Sequence, residues 1–186
     1  SGISEPTSQT QTQIHVIAGG PCSGKTTLLR ALAEAGYLVE VETSERLLEA
    51  GIAAGQTAEE MRSDPVSWQQ EILRQDYALF EGLPIDEVVF TDTSFIEDLV
   101  FSDRAGIAIG QNLERWLRSK RYQRVFFLDS LEAYEQSTVR LESQSVALQI
   151  SEEVQRRYEE YGYQPVRVPA VSVAKRVEFI RAHLES

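Results

Sequence analysis

Gly19-Gly20-Pro21-Cys22-Ser23-Gly24-Lys25-Thr26 is the stretch that decides the fold of this 186-residue chain. It fits the pattern G-x-x-x-x-G-K-[ST], in which the backbone N–H groups of a glycine-rich loop surround phosphate oxygens. The flanking residues satisfy the context that the pattern requires. Residues 14–18 predict a short buried strand, and residues 25–35 predict a helix that Gly36 ends. The stretch therefore predicts a phosphate-binding loop between a strand and a helix, with a nucleoside triphosphate as its ligand.

We expect this loop to hold ATP or GTP. Lys25 is expected to reach the β- and γ-phosphates, and the hydroxyl of Thr26 is expected to ligate Mg²⁺. An ordinary tight turn is the alternative, and the combination of spacing and context disfavours it. The predicted nucleotide-binding residues are Gly20, Pro21, Cys22, Ser23, Gly24, Lys25, Thr26 and Thr27.

The composition is typical of an acidic globular protein, with 42% hydrophobic residues, 25% charged residues and a formal net charge of −11. An acidic surface repels nucleic acid and anionic membranes, so we expect neither as a partner. No apolar run is long enough for a membrane span. The two histidines and one cysteine do not make a metal cluster, and a single cysteine forms no internal disulfide. We expect a cytoplasmic protein, and the composition gives no indication of its oligomeric state.

Five short apolar strands alternate with helices after a polar N-terminal segment. We predict a disordered tail over residues 1–13 and a single nucleotide-binding domain over residues 14–186. The predicted strands cover residues 14–18, 37–42, 87–92, 124–129 and 164–168. Strands that alternate with helices form a parallel sheet covered on both faces. The chain is therefore predicted to be an α/β protein with the three-layer P-loop NTPase fold, a five-stranded parallel sheet flanked by helices.

Carboxylates end three of the predicted strands, at the edge where such sheets bind ligands. Asp92 is predicted to hold Mg²⁺ or to accept a proton from an acceptor hydroxyl, with a helix cap as the alternative. Glu42 is predicted to orient or deprotonate the acceptor, with an exposed charge at a helix start as the alternative. Asp129 is interpreted as a helix cap.

Phosphoryl transfer also needs positive charge beside the transferred group. Arg140 is the predicted source of that charge, because it lies in a polar stretch after the fourth strand where a mobile lid would be expected. A solvated helix face is the alternative for this residue. The other candidate arginines are Arg46, Arg74, Arg104, Arg156 and Arg157.

Several stretches have counterparts in a known family. They are Ile17–Thr27, Gly36–Glu42 with Arg46, Arg124–Asp129, Val139–Glu142, Tyr161–Tyr163 and Val168–Pro169 with Arg176–Val177. The chain thus resembles the AAA_28-type predicted ATPases, which are similar to small-molecule kinases such as nicotinamide riboside kinase domains. The resemblance implies ATP or GTP binding with Mg²⁺, an acceptor region near Glu42 and the third strand, and a lid carrying Arg140. Relatives carry Asp-Arg-Gly where this chain has Asp92-Thr93-Ser94, and Arg104 is a candidate replacement for that arginine.

Two functions fit these residues. The first is a Mg²⁺-dependent phosphotransferase that acts on a small hydroxyl-bearing acceptor, with a nucleoside-like compound as one option. Its catalytic residues would be Lys25, Asp92, Glu42 and Arg140. The second is an NTPase or regulatory switch without a small-molecule acceptor. An ordered pocket beside Glu42, Asp92 and Arg74 would favour the phosphotransferase, and a flat or filled surface would favour the switch.

Overall fold

The structure, a computed structural model, describes residues 10–20, 23–84, 86–92, 94–131 and 138–185. The strands are β1 (Thr10–Gln11), β2 (Ile14–Gly19), β3 (Leu38–Glu40), β4 (Val89–Thr91), β5 (Lys120–Arg121), β6 (Arg124–Leu128) and β7 (Val166–Val168). The helices are α1 (Lys25–Glu34), α2 (Thr43–Ala53), α3 (Ala58–Met61), α4 (Pro65–Gly82), α5 (Phe95–Arg104), α6 (Gln111–Ser119), α7 (Thr138–Glu160) and α8 (Val173–Leu184). No helix among the described residues is long and apolar enough to cross a membrane.

Five strands form one parallel sheet in the order β3-β4-β2-β6-β7. The central strand β2 pairs with β4 on one side and with β6 on the other, so that Val16 lies between Thr91 and Val125. The chain leaves β2 towards one edge of the sheet and later continues from β4 to the opposite edge. The carboxyl end of β2 is therefore the point where ligands bind in open α/β sheets. The predicted α/β fold, a five-stranded parallel sheet flanked by helices, is confirmed.

Apolar residues cover both faces of the sheet because side chains alternate along each strand. One core contains Val16 and Ala18 of β2 and buries residues of α5 and α7 against them. The opposite core contains Ile17 and buries residues of α1 and α8. Helices on both faces fix the sheet, and its carboxyl edge remains available for polar groups.

We predicted a disordered tail over residues 1–13, of which residues 1–9 lie outside the described residues and residues 10–11 form a strand. Strand β1 pairs in parallel with β5, with Thr10 opposite Lys120 and Gln11 opposite Arg121. Thr12 is buried beside this pair. Strand pairing satisfies backbone polar groups whatever the side chains are, so a polar composition did not reveal it.

Helix α7 begins earlier than the sequence indicates. We placed Arg140 in a polar stretch after the fourth strand, whereas α7 is a continuous helix of 23 residues from Thr138 to Glu160. Val154 and Tyr158 are buried in the core shared with α5. Tertiary packing of one face stabilises a helix whose local sequence is polar, since most helical stability in proteins comes from such packing.

Candidate functional site

Gly24 is the turning point of the glycine-rich loop. Its backbone φ is +80°, and a Cβ atom there would lie 3.1 Å from Leu131 Cδ1 and 3.3 Å from Arg176 Nη1. Both the conformation and the space therefore require glycine. Helix α1 begins at the next residue, with no side-chain cap and no acidic residue in its first turn. The first N–H groups of a helix have no acceptor within it, and with the helix dipole they favour an anion here.

Lys25 links this helix to the end of β4. Its Nζ atom lies 2.8 Å from Asp92 Oδ1, and the side chains are 23% and 6% exposed. The backbone N–H of Asp92 donates to the Glu40 carbonyl at 3.0 Å, which fixes the strand end. Burial by itself lowers the pKa of Lys25. The carboxylates of Glu97, Asp92 and Glu42 outweigh this effect and raise the pKa, so the ammonium group stays charged.

Oxygen ligands suited to Mg²⁺ lie on both sides of this lysine. Thr26 is exposed in the first turn of α1. Burial raises the pKa of Asp92, and the charge of Lys25 opposes this rise. Within the described parts of the chain, no group of three or more His, Cys, Asp or Glu side chains is arranged to hold a metal ion. Mg²⁺ in phosphoryl-transfer sites is held by one or two protein oxygens together with substrate phosphates. Thr26 and Asp92 have that chemistry.

A cavity of about 270 Å³ lies beside the loop. Lys25 and the loop residues Gly19 and Gly20 line it together with Glu42 and Glu97. Its apolar wall is formed by Ile72, Phe101, Phe127, Ile150 and Val154. An ordered pocket is therefore present beside Glu42, whereas Asp92 and Arg74, which we expected beside the same pocket, are not among its lining residues. Asp92 contacts its lining through Lys25.

Glu97 and Asp98 are site residues that the sequence did not single out. Both lie in the first turn of α5 and line the cavity. Burial raises the pKa of Glu97 to about 7, and nearby carboxylates, Asp92 foremost, add to the rise against the opposing charge of Lys25. Position is the signal that could have found them. A helix that starts directly after a strand has its first turn at the carboxyl edge of the sheet.

Asp98 forms a buried carboxyl pair with Asp76 of α4. The hydroxyl of Thr43 donates to Asp76, and Arg46 donates to the same hydroxyl at 3.0 Å. Burial raises the pKa of both carboxyl groups, most strongly for Asp98, whose contact with Asp76 raises it further. Two carboxyl groups in contact disfavour the ionisation of both, so they titrate as one coupled pair.

Arg176 of α8 stabilises the glycine-rich loop through hydrogen bonds. It is 1% exposed, and its guanidinium group donates to three backbone carbonyls. These belong to Ser23, to Asp129 at 2.8 Å and to Pro169 at 2.9 Å. One side chain of α8 therefore ties the glycine-rich loop to the segments that follow β6 and β7. The sequence contained Arg176 only within a matching stretch, and its role depends on contacts between residues far apart in the chain.

The other candidate arginines lie outside the cavity lining. Arg74 is 67% exposed and pairs with Glu71 at 2.6 Å. Arg104 pairs with Glu153 at 3.1 Å, which joins α5 to α7. Three arginines remain. Arg157 pairs with Asp103, Arg46 contacts Thr43, and Arg156 is exposed.

Asp129 pairs with Arg167 at 2.7 Å and does not cap a helix, because α7 begins at Thr138. Among the predicted nucleotide-binding residues, Ser23 is buried and Thr27 is exposed. Pro21 and Cys22 lie outside the described residues. Arg140 is in the first turn of α7, and its side chain also lies outside the described part of the chain.

The central strand, the glycine-rich loop and the helix that begins at Lys25 define an α/β protein with the P-loop NTPase fold. The AAA_28 family, described as an AAA domain, matches residues 14–176. The chain belongs to this family. No curated protein matches the chain.

Solved kinase structures share this fold. The deoxyadenosine kinase from M. mycoides with bound dCTP is 18% identical, with a TM-score of 0.53, 92% of this chain covered and 98% of that chain covered. The same enzyme with the products dCMP and a flexible dCDP has a TM-score of 0.56 at 18% identity and the same coverage, 92% and 98%. The thymidylate kinase from Ehrlichia chaffeensis is 12% identical, with a TM-score of 0.52, 93% of this chain covered and 99% of that chain covered.

Proposed function

We propose that the protein is a Mg²⁺-dependent phosphotransferase that moves the γ-phosphoryl group of ATP or GTP to the hydroxyl of a small acceptor. A nucleoside-like compound is one option for that acceptor. The observation that carries the proposal is the cavity that joins Lys25 to Glu42 and Glu97. Phosphoryl transfer needs the donor phosphate and the acceptor oxygen held in contact and in line, and one shared cavity provides for both. The kinase fold of the solved neighbours supports the same reaction class.

The loop amides and Lys25 would bind the donor phosphates, and the oxygens of Thr26 and Asp92 would hold Mg²⁺. When bound, Mg²⁺ neutralises the charge of the donor phosphates and of the transferred group. The ion pair between Lys25 and Asp92 holds both charged groups at the loop in advance. Such preorganisation lowers the cost of assembling the site.

In the transfer step, the bond between the γ-phosphorus and the oxygen that bridges it to the β-phosphate breaks, and a bond from the acceptor oxygen to the γ-phosphorus forms. The hydroxyl proton goes to a carboxylate. Glu42, Glu97 and Asp92 are the candidates, and the first two line the cavity directly. Arg140 would supply positive charge to the transferred group from the first turn of α7, since later residues of that helix line the cavity.

A screen of small metabolites for ATP or GTP consumption tests the proposal. We expect at least one hydroxyl-bearing compound to raise turnover well above the basal rate, and the Lys25→Ala variant to lose that stimulation. Lys175→Ala, which removes an exposed lysine of α8, is the matched control and should behave like the wild type. If no compound raises turnover above the basal rate, the alternative of an NTPase or switch without an acceptor is favoured.

The proposed setting of this reaction follows from composition. We propose a cytoplasmic enzyme whose partners are the nucleotide and its acceptor, with no nucleic acid among them. The net charge of −11 supports the last point, because polyanions are repelled by an acidic surface.

A further inference from the structure

The described lining of the cavity beside the loop is predominantly acidic. Glu42, Glu97 and Asp98 line it, and Lys25 is the one cation among its described lining residues. That lysine already pairs with Asp92 at 2.8 Å, and in the proposed function it also serves the donor phosphates. The described lining therefore has three carboxyl groups and a single basic side chain, which the proposed donor phosphates would also use.

A phosphate group on the acceptor would meet unfavourable charge here. Proteins bind phosphate through Arg or Lys side chains and through helix N-termini. Arg74 and Arg104 pair with Glu71 and Glu153, and Arg46 donates to Thr43, so none of these three arginines is among the described lining residues. Negative charge on Glu42 and Glu97 would repel a phosphate bound in this cavity. An uncharged or cationic group is compatible with the same lining.

Gln69 provides an independent observation that points to a ligand. This residue of α4 lines the cavity, is 7% exposed, and its Nε2 atom has no hydrogen-bond partner within the described structure. A buried amide without a partner is costly and rare in proteins. A ligand carbonyl or ring nitrogen would satisfy the N–H group of Gln69, while N–H donors on the same ligand would satisfy the carboxyl group of Asp98 across the cavity.

The remaining lining sets the size and shape of the ligand. Ile72 is buried in the wall, whereas the ring of Phe101 is 43% exposed and offers an apolar face. The volume of about 270 Å³ lies near the lower end of small-molecule pockets. A compact ligand with one flat apolar face and one polar edge fits this combination.

We infer that the acceptor is a phosphate-free compound, uncharged or cationic, whose polar edge offers N–H donors to the carboxyl groups and a hydrogen-bond acceptor to Gln69. This inference rests on the proposed function, because it assigns a chemical class to the acceptor of that reaction. It separates compounds of the nucleoside or amino-sugar type from their monophosphates.

Calorimetric titration of matched pairs tests the inference in the presence of Mg²⁺ and AMP-PNP. The probes are adenosine, cytidine, guanosine, uridine and glucosamine, each beside its own monophosphate. We expect at least one phosphate-free probe to bind about tenfold more tightly than its monophosphate. Tighter or equal binding of the monophosphates overturns the inference, and so does the binding of none of the phosphate-free probes at millimolar concentration.

Variants of neighbouring glutamines test the role of Gln69. Gln69→Leu should weaken binding of the preferred probe about tenfold, since its amide contact is lost. Gln70→Leu changes the adjacent, exposed glutamine of α4 and should bind the probe like the wild type. Equal binding by both variants overturns the assignment of Gln69. The wild-type comparison of matched pairs needs no variant and decides the charge preference by itself.

AMP-PNP does not transfer its phosphoryl group, so these titrations are independent of turnover. A phosphate-free probe that binds in the cavity but never stimulates ATP consumption would contradict the proposed phosphotransfer and leave the ligand class supported. A monophosphate that both binds and is phosphorylated would support the phosphotransferase and overturn the inference.

Discussion

Lys25 Nζ lies 2.8 Å from Asp92 Oδ1, and this ion pair joins the first turn of α1 to the end of β4. The two residues are 67 positions apart in the chain and meet because β4 lies beside β2 in the sheet. The pair places a cation for phosphate next to a carboxylate suited to Mg²⁺. This ion pair therefore contains one residue of the predicted nucleotide site and one residue of the predicted metal site.

Asp92→Asn should separate metal use from nucleotide binding. The amide keeps the shape of the side chain but removes the negative charge that would hold Mg²⁺. We expect Mg²⁺-dependent turnover to fall about 100-fold and ATP affinity without Mg²⁺ to change little. Steady-state kinetics and calorimetry measure the two effects, with the exposed Asp86→Asn as the control. Equal losses in both measurements would argue that Asp92 is only structural.

Arg176→Met should destabilise the protein and loosen the loop. Methionine keeps the apolar stem but leaves three backbone carbonyls, including that of Ser23, without their donor. We expect the free energy of unfolding to fall by about 2–4 kcal/mol and nucleotide affinity to fall with it. Urea unfolding and ATP titration check this result. The neighbouring Lys175→Met, on an exposed position of α8, controls for loss of a basic residue, and equal stability of both variants would contradict the bracing role.

Glu97→Gln should stabilise the free protein at alkaline pH. Burial and neighbouring carboxylates raise the pKa of Glu97 from 4.5 to about 7. The folded protein thus binds more protons than the unfolded chain in this window, and stability is lost as pH rises through it. Relative to the wild type, the variant should gain about 2–3 kcal/mol between pH 4.5 and pH 7. Urea unfolding at both ends of the window measures the gain.

The control for this effect is Glu49→Gln, which removes a carboxylate from an exposed position of α2. A stability difference between Glu97→Gln and the wild type that does not change with pH would show that Glu97 is not perturbed by its surroundings. Loss of turnover in Glu97→Gln, together with increased stability, would show that Glu97 is needed for activity although it destabilises the folded protein.

His15→Leu should remove part of the acid sensitivity of the fold. His15 lies in β2 between the rings of Phe90 and Phe126, at 5.5 Å and 5.9 Å between centroids. Burial, with the charge of Arg124, lowers the pKa of His15 from 6.5 to about 4. The unfolded chain therefore takes up a proton first as pH falls, and stability is lost between these values.

Between pH 6.5 and about pH 4 the wild type should lose about 3 kcal/mol more than His15→Leu. The difference between the two unfolding free energies isolates the effect of His15, because both proteins contain the same acidic residues. Parallel pH dependence of the two unfolding free energies would contradict the prediction.

The sequence determined those features that depend on neighbours along the chain. Gly24 requires its own backbone conformation, the strand before the loop is mostly apolar, and α1 starts at Lys25. The alternation of strands and helices fixed the parallel sheet. Glu42 and Asp92 could be placed at its carboxyl edge because each ends a predicted strand. Local geometry and hydrophobic period carry all of this information.

Only the tertiary structure decided which polar side chains meet at that edge. Glu97 and Gln69 face one cavity although they come from α5 and α4, and Arg176 reaches the loop from the last helix. The arginines expected near the acceptor pair with carboxylates elsewhere, as Arg74 does with Glu71. The physical reason is that local periodicity specifies which face of an element is buried. The neighbour that this face meets, and the charge and cavity that result, depend on how the elements pack.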